Sequence, residues 1–196
     1  MLNLQSMEEL KKYTEKEELE RTKSELERTK NELSILYEIS NAMRTTLELE
    51  EILYIILTGV TAHSGLGFNR ALLFLFNEKD GTIEGKMGIG PETMEEASRI
   101  WKQIEEERMD MDDLINAYKV SRQSLESGFN KQVRHLKISL QDNNETLLAM
   151  ATLEGMPLHL TKEKIAHYTD SPLIKLLKSE EIVIIPLKAK DKVNGI

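Results

Sequence analysis

Residues 18 to 33 read "ELERTKSELERTKNEL", a seven-residue unit written twice and begun a third time. A strict period of seven is the period at which helices wind about one another, so this stretch admits few folds. With Leu19, Leu26 and Leu33 at heptad position a, position d is Thr22, Thr29 and Leu36. Position g is then Glu18, Glu25 and Glu32, and position e is Lys23, Lys30 and Tyr37. A parallel pair sets Glu18 against the partner's Lys23 and Glu25 against the partner's Lys30, both attractive. An antiparallel pair sets like charges together. Leucine at d is worse, because it puts Lys16, Lys23 and Lys30 in the seam. The charges therefore favour a parallel, in-register homodimer over a lone solvated helix. Upstream of Glu18 the pattern dissolves, with Lys12 and Glu15 at a and d. Within one helix, Glu17 and Arg21 stand at i, i+4 spacing, where an ion pair is expected.

Threonine at d packs less well than leucine, so the seam is marginal and suited to transmitting a change of conformation. The triplets Glu20-Arg21-Thr22 and Glu27-Arg28-Thr29 resemble the signalling helix, a parallel coiled-coil connector that in its family joins sensor domains to output domains.

After Leu33 the apolar face widens through Ile35, Leu36, Ile39, Ala42 and Met43, as in a helix that also meets its own domain. A stop follows at residues 44–46. Thr46 is the expected N-cap of a second helix, with Glu48, Glu50 and Glu51 in its first turn and Gly65 and Gly67 at its end. "RALLFLF" predicts a strand buried on both faces, and "NEKDG" a turn. "TIEGKMGIG" completes a hairpin, with Ile83, Gly85, Met87 and Ile89 expected on one side. Pro91 is expected at the first position of the helix "PETMEEASRIWKQIEEER", and "MDDLINAY" reads as a further short helix. Beyond it the pattern is poor: "VRHLKISL" reads as a strand, "NETLLAMATLEG" as a helix ended by Gly155, and "SPLIKLLKSEE" as a helix or turn. "IVIIPLKAKDKVNGI" reads as a strand, a turn at 190–192 and the start of another strand.

This order, with "GFNRALLFLFNEKDGTIEGKMGIGP" and "IVIIPLKAKDKVNGI", resembles a GAF domain, and "GIGPETMEEASRIW" is similar to GAF domains ahead of bacterial histidine kinases. The resemblance implies an α+β fold, an antiparallel sheet flanked by helices and preceded by a long coiled-coil helix. It implies a leader over 1–17, a parallel coiled coil over 18–36 and a sensor domain over 33–196. It also implies a cytoplasmic, non-catalytic sensory role in signal transduction, as in two-component systems. The family pattern runs past a final "GI" into a full strand and a closing helix, so a truncated sheet edge is expected at Ile196. Asn194 stands where the family carries an apolar residue and is expected to face solvent or a partner.

The chain contains no cysteine, which excludes disulfides, thiolate zinc sites, a cysteine nucleophile and, within the family, bilin attachment. It equally excludes chemistry of the free-methionine-sulfoxide-reductase type. The net charge of −8, with no clustered Lys/Arg patch, argues against nucleic acid. The first 16 residues lack a signal-peptide core, and no stretch approaches 18 uncharged apolar residues. His63, His135, His159 and His167 have no metal-ligand spacing. Haem on one axial histidine stays open, with His167 the candidate. The cyclic-nucleotide subclass of the family carries an Asn-Lys-x-Phe-Asp-Glu constellation, of which "FNKQVRHL" offers only Asn130-Lys131, so cyclic nucleotide is disfavoured. The acidic run Glu105 to Asp113 lacks the spacing of a calcium loop. An unspecified small ligand, or none, is left. Candidate pocket residues are Phe74, Phe76, Met87, Ile89 and Trp101, on the sheet face away from the dimer helices. Arg134, His135, His167 and Tyr168 are the polar groups that would orient a ligand. The bland alternative for the apolar five is ordinary core.

Overall fold

The computed structural model describes residues 4–44, 46–61, 68–107, 113, 116, 127–140 and 146–196. Helix α1 (Leu4–Met43) is a single uninterrupted element of 40 residues, so residues 4–17 and the heptads share one rod. Residues 11–31 are exposed, and from residue 11 onward the first buried side chain is Ile35. Helix α2 (Leu49–Thr61) folds back against α1. Its cap differs from the expected one. The Glu48 carbonyl accepts the first helical bond from Ile52 N–H (3.0 Å), and Thr46 Oγ1 accepts from Glu48 N–H (3.1 Å), so Thr46 shapes the approach rather than the cap itself. Gly65, Gly67 and His63 lie outside the described residues, as does most of "MDDLINAY".

Strands β1 (Ala71–Asn77) and β2 (Thr82–Ile89) form the expected antiparallel hairpin, with Gly81 at φ 63° in the turn. The side-chain alternation on β2 is not the expected one. Leu73 pairs with Met87 and Phe74 with Gly85, so Lys86 is an extra residue in a β-bulge. Ile83 therefore joins one core, and Met87 and Ile89 join the other. Helix α3 (Met94–Glu107) starts three residues after Pro91. Thr93 caps it: its hydroxyl accepts from Glu96 N–H (3.1 Å), and the Glu96 carboxylate accepts from Glu92 N–H (2.6 Å).

The stretch read as the strand "VRHLKISL" is half helix. Helix α4 (Gly128–His135) runs through Val133, Arg134 and His135, and strand β3 covers Lys137–Ser139. Ser127 caps α4 by accepting from Asn130 N–H (3.1 Å), and Phe129, Asn130 and Val133 make a buried face at helical spacing. Helix α5 (Thr146–Glu154) ends, as expected, at Gly155 (φ 61°). Strand β4 (Leu158–Leu160), helix α6 (Lys162–Ile165), a 3₁₀ turn (Ala166–Tyr168) and helix α7 (Pro172–Leu177) follow. The final apolar run is two strands, not one. Strand β5 (Ile182–Ile184) pairs with β4, whereas β6 (Leu187–Ala189) and β7 (Lys192–Gly195) join the main sheet. Pro186, which has no N–H to donate, lies at the break.

The main sheet is antiparallel throughout, in the order β3-β2-β1-β7-β6, with β1 central; its two faces are buried at Leu73 and Phe74, whereas Leu75 is exposed, so the expected burial on both faces holds for only part of the strand. Tyr54 and Leu57 of α2 pack with Ala71, Leu73 and Met87 on one face. Phe129 and Val133 of α4, with residues of α5 and α7, pack with Phe74 and Ile83 on the other. The architecture is mixed α+β, as the resemblance implies.

Candidate functional site

Two features present chemistry to the outside: the free face of α1, and the point where α4 meets the hairpin.

On α1, Leu19, Leu26, Leu33 and Leu36 are 69%, 68%, 62% and 61% exposed. Ile35 beside them is 6% exposed, and Ile39 is half-buried. Positions c and g hold the helix to its own domain, and the a/d stripe stays uncovered. Glu18, Lys23, Glu25 and Lys30 flank the stripe in solvent. Thr22 and Thr29 donate their hydroxyls to the carbonyls of Glu18 (2.8 Å) and Glu25 (2.9 Å). Arg21 pairs forward with Glu25 (3.0 Å) rather than backward with Glu17, and Arg28 repeats this with Glu32 (2.9 Å).

The pocket candidates do not converge. Phe74 and Phe76 belong to the core beneath α4, whereas Met87 and Ile89 face α2, because the bulge at Lys86 turns them over. Trp101 lies on α3, and its side chain is outside the described set. His135 is exposed, with Nδ1 2.6 Å from Lys131 O; His167 is exposed in the 3₁₀ turn; Tyr168 packs half-buried on the α4-side core. Arg134 turns to Glu50.

Over β2 the sheet face is occupied by α4 itself. A Cβ on Gly85 would stand 1.9 Å from Val133 O, and one on Gly88 would stand 2.6 Å from Val133 Cγ2, so only glycine admits this contact. Asn130, fully buried, accepts from Gly88 N–H at 2.8 Å. Asn130, one of the two residues left of the cyclic-nucleotide constellation, thus uses its carboxamide oxygen to hold α4 to β2. An open depression lies at the hairpin tip, lined by Leu75, Phe76, Asn77, Glu78, Lys79 and Glu84. Beside it Lys137 bridges Glu84 (2.8 Å) and Asp80 (3.0 Å); the Lys137 hydrogen bond foremost, then that from Asn77, holds the Glu84 carboxyl below the usual carboxylate range.

Two groups escaped the sequence reading. Arg70 donates Nε to Pro91 O (2.7 Å), Nη1 to Leu177 O (2.5 Å) and Nη2 to Glu92 O (3.1 Å), with its guanidinium 5.3 Å from the Phe129 ring centroid. It clasps the exit of β2, the C-terminus of α7 and the start of α4 together. Glu50 Oε1 receives Arg134 Nη2 at 3.0 Å and Lys86 Nζ at 3.6 Å, and the Arg134 hydrogen bond foremost holds its carboxyl below the ordinary value. Among the described residues no group of three His, Asp or Glu side chains could hold a metal, and no helix is long and apolar enough to cross a membrane.

No family model and no curated protein matches the chain. Among solved structures, a fragment of a methyl-accepting chemotaxis protein superposes with a TM-score of 0.51 at 14% identity, over 80% of this chain and 74% of that one. The two chains share a fold. The GAF domain of an Acinetobacter phosphoenolpyruvate-protein phosphotransferase gives a TM-score of 0.48 at 13% identity, over 84% of this chain and 72% of that one. Likeness at this identity speaks for the fold alone, so function has to be argued from the faces just described.

Proposed function

We propose that this chain is a non-catalytic regulatory module of a cytoplasmic bacterial signalling protein, a sensor histidine kinase or a related regulator. Two copies pair in parallel through residues 18–36, and the GAF-like domain over 33–196 passes its state to an output domain through that pair; residues 1–17 lead into it. The observation that carries this reading is the division of α1 into an anchored face and an uncovered leucine stripe with matched g and e charges. The fold shared with a chemotaxis-protein fragment agrees with a signalling role. Light scattering tests it. The full chain should run as two copies per particle, and Leu26→Asp with Leu33→Asp as one, with the domain's melting little changed. One copy per particle for the unmodified chain at high concentration overturns it.

One observation favours a second reading, a structural dimerisation domain with no ligand: α4 fills the sheet face over Gly85 and Gly88. Native mass spectrometry separates the two. A small molecule that co-purifies with the chain selects sensing, and a bare dimer selects scaffolding.

A further inference from the structure

Glu50 stands in the first turn of α2 and faces two cations from two different elements. Lys86 is the extra residue of the β2 bulge, and Arg134 lies in the last turn of α4. These two elements behave as one body. Gly88 N–H donates to the buried Asn130 (2.8 Å), Gly85 N–H donates to Leu136 O (2.9 Å), and the absent side chains at Gly85 and Gly88 let Val133 press onto the strand. Breaking this contact exposes buried polar groups, so α4 and the bulge move together. On the far side of Glu50, α2 packs along α1, where Ile35 is buried between Leu33 and Leu36 of the exposed stripe in sequence.

We infer that Glu50, Arg134 and Lys86 form the joint that couples the α4–bulge body to the α1–α2 hairpin, so that a displacement of α4 turns the leucine stripe. This rests on the reading that α1 pairs with a second copy. The geometry suits a joint. The Arg134, Lys86 and Glu50 side chains are 37%, 33% and 43% exposed, and ion pairs of that exposure are weak enough to open at ordinary temperature. Beside it, Tyr54 and Leu57 of α2 pack with Met87, the residue after Lys86, in a buried apolar core, and close-packed contacts of this kind carry motion rather than absorb it. The joint has two arrangements, closed on Glu50 or open, and anything that favours one of them for α4 biases the seam.

Hydrogen exchange on the full chain tests this, with Glu50→Gln, Arg134→Gln and the reversed pair Glu50→Arg with Arg134→Glu, the last carried together with Lys86→Glu so that no like charges meet at position 50. The single variants should exchange about two- to five-fold faster in the first turns of α2 and around Leu33 to Leu36, with β1 and β2 amides unchanged, as expected for loss of a partly exposed ion pair. The reversed pair should restore the slow rates. A purely local role lowers melting without touching α1, so unchanged exchange at Leu33 to Leu36 overturns the joint, as does a reversed pair that fails to restore it. Light scattering on the same samples keeps the two ideas apart. A single copy per particle sinks the pairing and not the joint, which the exchange of α2 and of the Ile35 turn decides.

Discussion

Arg70 combines a large structural role with almost no sequence signal. Its three acceptors are main-chain carbonyls of Pro91, Glu92 and Leu177, and no side-chain pattern marks a carbonyl. The planar guanidinium reaches all three while lying over Phe129; an ammonium on a single stem cannot. Arg70→Lys should therefore lower unfolding free energy by about 1–3 kcal/mol in urea titrations, the range for charge-assisted hydrogen bonds lost from partly buried sites. An unchanged midpoint would mean that water serves these carbonyls equally well. Gly85→Ala should cost at least as much, because the added methyl group meets the Val133 carbonyl, a backbone atom that cannot step aside. Far-ultraviolet dichroism and a melt on that variant distinguish a shifted α4 from a lost fold. For Glu50, whose carboxyl is held below its ordinary value, the ion pair contributes fully above the unfolded carboxylate range. The contribution drains as pH falls through the folded value. Glu50→Gln should thus lose stability near neutrality and show a shallower decline into acid than the parent chain. Parallel acid limbs for the two proteins would remove the assignment.

Elements with a local signature were legible from the sequence. The hairpin, α2 and α5 announce themselves through apolar period and Gly155 at a helix end, whereas the stretch that forms α7 reads equally as helix or turn. Others were set by tertiary contact. Two glycines hide the bulge, since Ile83, Met87 and Ile89 alternate in sequence while the extra Lys86 turns the last two over. Val133, Leu136 and Ile138 mix helical and strand spacing, and the helical half is chosen by the Ser127 cap and by packing on Gly85 and Gly88. Of the faces proposed to act, the α1 stripe was readable in the sequence because its period is local. The Glu50–Arg134 contact was not, because it joins residues 84 positions apart. Along α1 the threonines give a sharp test. Each hydroxyl is already bonded to its own helix, so the group left for a partner is the methyl. Valine keeps the methyl and removes the polar atom, whereas serine does the reverse. Thr22→Val with Thr29→Val should tighten pairing severalfold by sedimentation, and Thr22→Ser with Thr29→Ser should loosen it. The opposite order would place the hydroxyls in the seam.

For the whole molecule, the direction of the two helices decides whether a relay is feasible at all. In a parallel pair both GAF-like domains sit at the same end, their joints act on the same turns of the seam, and both chains leave the seam side by side. In an antiparallel pair the domains lie at opposite ends, and a turn imposed on one helix meets the far end of the other. The charge pattern prefers the parallel arrangement, since Glu18 then meets Lys23 and Glu25 meets Lys30 across the seam. The absence of cysteine makes this measurable, because any disulfide must come from an introduced thiol. In the parallel, in-register pair each a position faces its own copy, close enough for a disulfide. Leu19→Cys and Leu33→Cys, made separately, should each give a crosslinked dimer within minutes of mild oxidation. An antiparallel pair centred on Leu26 sets Leu19 against Leu33 instead, with like positions about 21 Å apart at 1.5 Å per residue. Neither variant then crosslinks alone, and a mixture of the two does. That result would leave the GAF-like fold in place and remove the paired relay, because the attractive g and e contacts that select the orientation would not be the ones formed.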